Sequence, residues 1–170
     1  ELRKEAPPLP PPPLPTDDHY SKEMALKELF IDEKQFDQIC QAILYKKNII
    51  LQGPPGTGKT FLARRLAHAL LGKKDPSRVE MIQFHQSYSY EDFIQGYRPT
   101  DKGTFELRNG VFYEFIQKAQ NDPTEKYFFI IDEINRANLS KVFGELLMLI
   151  ECDKRGEEFA IPLTYAETPE

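Results

Sequence analysis

The stretch NIILQGPPGTGKTFLARRLA, residues 48–67, constrains this chain more than any other. It opens as a short apolar run of strand character, passes through a glycine-rich turn, and continues as a basic amphipathic helix. Within it, Gly53, Pro54, Pro55, Gly56, Thr57, Gly58, Lys59 and Thr60 match G-x-x-x-x-G-K-[ST] in full. Glycines let backbone N–H groups converge on phosphates, and the N-terminus of the following helix adds positive potential. The motif places Lys59 on the β- and γ-phosphates of a nucleoside triphosphate and Thr60 on Mg²⁺. The bland alternative, a glycine turn with no ligand, fits poorly with a strand before the turn and a helix after it.

A second stretch, YFFIIDEINRANLS, spans residues 127–140. Asp132 ends an apolar run, where a carboxylate can coordinate Mg²⁺ directly or through water. Glu133 follows it. A second acid beside the metal acid is what a hydrolase needs to orient and deprotonate water. A phosphate-loop kinase has no use for it. Read alone, the two acids also suit a solvated helix cap; the lysine site upstream favours the catalytic reading.

The remaining pattern alternates helices with strands, which implies an α/β fold with a parallel sheet. Helices are expected over 23–30, from a cap at Asp32, over 59–71 with Gly72 as terminator, from the Ser89–Asp92 capping box to Gln95, from Gly110 onward, and over 139–150. Strands are expected at 48–52, 79–84, 127–131 and 159–163, and a hairpin around the Asp101-Lys102-Gly103 turn. Residues 1–20 read as a linker. Half of the 14 prolines lie in APPLPPPPLPT, residues 6–16. This is a polyproline II or disordered spacer to an upstream domain, favoured over a docking site for an aromatic-groove module. Residues 21–170 form the globular part, and a first residue other than Met reads as a fragment or a processed chain.

With 22 basic and 27 acidic residues the net charge is −5, and no like-charged run is long enough for a nucleic-acid arm. Phosphate contacts to DNA would have to come largely from elsewhere. Cys40 and Cys152 read as two buried thiols in a reducing cytoplasm. No apolar stretch is long enough to span a bilayer.

The two stretches FHQSYSYEDFIQGYRP (residues 84–99) and DEINRANLSKVFGELLMLIE (residues 132–151) together resemble the McrB-type proteins. These are AAA+ motor subunits of modified-cytosine restriction systems, and the resemblance covers roughly residues 26–164. It implies an AAA+ αβα sandwich of the helix-2-insert type, the insert being the hairpin near Asp101, with the sensor strand and helical lid beyond Glu170. It implies GTP rather than ATP, Mg²⁺, and self-assembly into a ring, usually a hexamer. It also implies a McrC-type nuclease partner, and DNA reached through an upstream reader domain and the ring pore. An ATP-driven remodeller of the MoxR, midasin and dynein-related group is the alternative.

By the same resemblance Asp132 is the metal acid, Glu133 the catalytic acid, and Asn135 and Arg136 the polar pair after it. Asn135 is expected to position water or receive the partner's stimulating contact. Phe61 and Ile31 are expected to join the phosphate loop in holding the nucleotide. The arginine finger and an Asn-Thr-Ala-Asp sensor string are expected beyond the chain, so hydrolysis would not be completed by these residues alone.

Guanine preference rests on the resemblance. Asp153-Lys154-Arg155-Gly156 fits D-x-x-G but reads as an ordinary turn. Asp32 could read guanine, although a plain helix N-cap is favoured. His85 could sense a γ-phosphate, against a structural histidine. Arg64, Arg65, Lys73, Lys74 and Arg78 read as a solvated face before a DNA contact. Core packing explains at least half of Tyr88, Tyr90, Phe93 and Tyr97.

Overall fold

The computed structural model describes residues 18–165; the proline-rich segment lies outside them. Two helices come first. α1 (Lys22–Glu28) starts where the Ser21 hydroxyl accepts from the Met24 N–H. α2 (Glu33–Lys46) starts at Asp32 in a reciprocal capping box with Gln35. Asp32 is therefore occupied as a cap, with Oδ1 accepting from the Gln35 N–H at 2.7 Å. α3 (Lys59–Leu71) follows the glycine turn and stops at Gly72, whose φ of 74° carries the chain out of the helix.

Two small sheets follow. β1 (Val79–Gln83) pairs in parallel with β4 (Phe128–Asp132), with Gln83 opposite Asp132. β2 (Gln95–Pro99) and β3 (Phe105–Asn109) form an antiparallel hairpin. Its tip is closed by the Thr100 N–H to the Thr104 carbonyl at 2.8 Å. Between β1 and β2 lies the short helix α4 (Tyr90–Phe93), capped by Ser89 and Asp92 as expected. α5 (Val111–Asn121) joins the hairpin to β4, and α6 (Leu139–Phe143) follows β4 through a 3-10 turn over Ile134–Arg136. This α/β arrangement agrees with the expected fold class.

Four expectations are corrected. The apolar run 48–52 takes no regular structure and pairs with no described strand, and Ile50 is 78% exposed. Strand propensity is not enough where no described edge lies alongside to complete a ladder. The helix expected over 139–150 ends at Phe143. Gly144 adopts φ 52°, ψ −131°, which ends the α-helix, and 3-10 turns follow over Gly144–Ile150. The glycine is required there: a Cβ would sit 2.9 Å from the Tyr90 ring. Residues 159–163 do not make a strand either. Leu163 is buried, and Thr164 is tied by side-chain bonds: its N–H donates to Glu145 Oε1 at 2.9 Å, and the Tyr90 hydroxyl donates to the same oxygen at 2.6 Å. Burial, and then hydrogen bonding to Glu145, push the Tyr90 pKa up to about 12, so the hydroxyl stays a donor. Finally, of the two thiols expected to be buried, Cys40 is half-buried and Cys152 is exposed, in a turn.

Two apolar clusters hold these elements. One joins Tyr20, Ala25, Leu29, Phe36 and Leu66, fixing α1 and α2 onto α3. The other joins Phe84, Tyr90, Phe93, Ile94, Val142, Phe143 and Leu163. Phe93 is its hub: fully buried, stacked on Phe112 at 4.7 Å, and edge-on to Phe84, Phe129 and Phe143. Phe93 thus couples α4 to β4, to the residue that follows β1, to α5 and to α6. Phe93→Ala is expected to lower folding stability by about 3–5 kcal/mol, measured by denaturant unfolding.

Candidate functional site

The site is built where α3 begins and β4 ends. α3 has a glycine N-cap and no acidic residue in its first turn, so its free N–H groups and helix dipole are uncompensated. The loop before it turns through left-handed Gly56 (φ 78°) and Gly58 (φ 75°), a conformation costly to a side-chain-bearing residue. The Thr57 hydroxyl donates to the Pro54 carbonyl at 2.9 Å and closes the loop. Lys59 Nζ donates to the carbonyls of Gly53 and Pro54 at 3.0 and 2.7 Å. The ammonium group is thereby stored inside the loop that the motif predicts it to serve.

Thr60 is the link to the second stretch. Its hydroxyl donates to Asp132 Oδ2 at 3.1 Å, across 72 residues of sequence. The other oxygen, Oδ1, accepts from the Glu133 N–H at 3.0 Å. β1 supports this end of β4, because the Phe84 N–H donates to the Asp132 carbonyl at 2.9 Å. Glu133 then takes a left-handed backbone, φ 50° and ψ 42°. For a non-glycine residue this costs roughly 1–2 kcal/mol, and such strain concentrates at functional sites.

A hydroxyl and a carboxylate in contact are hard oxygen donors of the kind Mg²⁺ takes, the rest of its shell coming from water and phosphate oxygens. The described residues include no group of three or more His, Cys, Asp or Glu able to hold a metal. Thr60 and Asp132 supply two such oxygens side by side, which suits a cation taking its other ligands from water and phosphate.

The other expected site residues are dispersed around this centre. Phe61 is 41% exposed, with the Arg65 guanidinium 3.5 Å above its ring. Arg65 is in turn bonded to Glu28 at 2.8 Å, which ties α3 to α1. Ile31 packs into the cluster around Leu66. Asn135 is exposed on the 3-10 turn. His85 is exposed, its ring 5.2 Å from that of Tyr88. The basic residues are largely spent within the fold: Lys73 on Asp75, and Arg78 on Asp75, Asp122 and Glu125. Lys74 lies over the Tyr20 ring. Of the aromatic string, Phe93 and Tyr90 are core, Tyr88 is half-buried, and Tyr97 is 55% exposed. One contact escaped the sequence reading. Arg136 Nε donates to Glu133 Oε2 at 3.2 Å; the three-residue spacing on a tight turn was the available signal.

The model of the AAA domain, dynein-related subfamily, matches residues 48–166, which contain both halves of this site. The chain belongs to the AAA domain family. Over 159 residues it is 61% identical to the type IV methyl-directed restriction enzyme EcoKMcrB subunit of Escherichia coli (strain K12), covering 94% of this chain and 34% of that protein. It is 28% identical over 144 residues to the type II restriction enzyme BsuMI component YdiS of Bacillus subtilis (strain 168), covering 70% of this chain and 41% of that one. A pachytene checkpoint protein 2 homolog of Oryza sativa subsp. indica is 28% identical over 110 residues. The McrB-type resemblance is borne out. The chain spans about a third of the first relative's length. The family match places the phosphate loop and the acid pair within one AAA domain.

Lys59→Ala removes the one ammonium group stored in the loop. It is expected to weaken triphosphate binding at least tenfold, the scale of one charge-assisted hydrogen bond lost. Titration with a fluorescent nucleotide checks this, with the thermal unfolding midpoint as control.

Proposed function

We propose that this AAA domain binds and hydrolyses GTP as the motor of a methylation-dependent restriction complex, driving DNA translocation for a partner nuclease. The observation that carries the enzymatic part is the Thr60–Asp132 hydrogen bond, which brings the phosphate loop and the acid pair to one point. The restriction context is supported by the 61% identity to the EcoKMcrB subunit.

In this proposal the N-terminal N–H groups of α3 and the loop amides receive the phosphates. Lys59 exchanges its two loop carbonyls for β- and γ-phosphate oxygens. Thr60 and Asp132 hold Mg²⁺, which when bound neutralises charge developing on the transferred phosphoryl group. Glu133 accepts the proton of the attacking water. Asn135 positions that water or receives a stimulating contact from the partner. Phe61 and Ile31 flank the nucleoside, with the Arg65 stack keeping Phe61 in place.

Residues 1–20 serve as a linker, and 21–170 supply the N-terminal portion of the AAA domain. The full assembly is a ring, a hexamer, working in the cytoplasm with a McrC-type nuclease. It reaches DNA through an upstream reader domain and the ring pore. None of the described helices is long and apolar enough to cross a membrane.

The match to a dynein-related subfamily model favours one second reading, an ATP-driven protein remodeller. Competition of GTP and ATP for the full-length protein separates the two, and a clear ATP preference would remove the first. Glu133→Gln is expected to lower kcat by at least about a hundredfold while nucleotide affinity stays near the parental value. Turnover at the parental rate would refute the proton-accepting assignment.

A further inference from the structure

The 3-10 turn after β4 carries a contact that the proposed chemistry does not use. Arg136 Nε donates to Glu133 Oε2 at 3.2 Å, and the Arg136 N–H donates to the Glu133 carbonyl at 2.9 Å. Both residues belong to one tight turn, so the pairing needs no other chain. The left-handed backbone of Glu133 sets the direction of its Cα–Cβ bond, and only side-chain rotation redirects the carboxylate. Asp132, by contrast, is already engaged through both oxygens, by Thr60 and by the Glu133 N–H.

A carboxylate that takes a proton from water must aim a free lone pair at that water. An oxygen already accepting from a guanidinium has committed one. The contact holds Glu133 Oε2 against residue 136, on the same turn. The side chains of Arg136 and Glu133 keep 58% and 38% of their exposure. An ion pair this exposed adds little to folding and opens readily. Its position beside the acid is more telling than its contribution to stability.

Resting on the assignment of Glu133 as the water-activating acid, we infer that Arg136 is a positioning residue that restrains Glu133 in the resting site. Turnover then requires this pair to open. Arg136 sets the basal rate through Glu133 and leaves nucleotide affinity untouched.

The test uses the full-length protein and four variants: Arg136→Gln, Arg136→Lys, Glu133→Gln, and the double Glu133→Gln/Arg136→Gln. Phosphate release gives kcat and KM, a fluorescent GTP analogue gives Kd, and thermal unfolding reports integrity. Arg136→Gln is expected to raise kcat about two- to fivefold, the range open to a lost surface ion pair, with KM and Kd unchanged. Arg136→Lys, which keeps the charge, should give a smaller rise. The double variant should be as inactive as Glu133→Gln. A folded Arg136→Gln protein with unchanged or lower kcat overturns the restraint, as does an equal rise in the Lys variant. Should Arg136→Gln fail to fold, Arg136→Lys decides: a rise supports the restraint and none overturns it. If Glu133→Gln retains turnover, the water-activating assignment falls and the restraint with it. If Glu133→Gln is inactive and Arg136→Gln is not faster, only the restraint falls.

Discussion

One hydrogen bond organises this domain around its candidate site: the Thr60 hydroxyl on the Asp132 carboxylate at 3.1 Å. It joins the first turn of α3 to the last residue of β4. Neither end is free to move independently. α3 is fixed from behind by the cluster around Leu66, and β4 is fixed laterally by its parallel ladder with β1. A short polar contact between two anchored elements can therefore hold a hydroxyl and a carboxylate in place for an ion.

The aromatic cluster serves the same end from the other side of the strands. Phe93 stacks on Phe112 and meets Phe84, Phe129 and Phe143 edge-on, so α4, β4, α5, α6 and the residue after β1 share one buried ring. The strained backbone of Glu133 sits at the edge of this rigid body, where the strand ends and Ile134 packs back onto the cluster. Strain of that size persists only when neighbouring packing over-determines the chain. The site thus pairs rigid anchors with one acid whose side chain is only loosely held by Arg136.

Much of this was legible in the residues. The phosphate loop, its capping glycines, the paired acids, the α4 capping box and the hairpin turn all follow from local chemistry, which acts over a few residues. What misled was equally local. The apolar run 48–52 has strand propensity but no described partner edge, and propensity cannot create one. The pattern of 139–150 is helical by spacing, yet Gly144 yields to the close approach of the Tyr90 ring, a residue 54 positions earlier. Leu163 looked like strand and proved to be core, because Glu145 and Tyr90 hold the following residue.

The sequence by itself determined the chemistry on offer: glycines where N–H groups must converge, one lysine and one hydroxyl at a helix start, two adjacent acids at a strand end. These depend on spacing along the chain and survive any arrangement of the rest. Only the tertiary structure decided which of them meet. Thr60 reaches Asp132, Lys59 folds back onto Gly53 and Pro54, Ile31 rests half-buried against the Leu66 cluster, and Arg136 takes hold of Glu133. The physical reason is that burial and hydrogen bonding act through space. Residues far apart in sequence compete for the same partners, and a one-dimensional pattern does not record who wins.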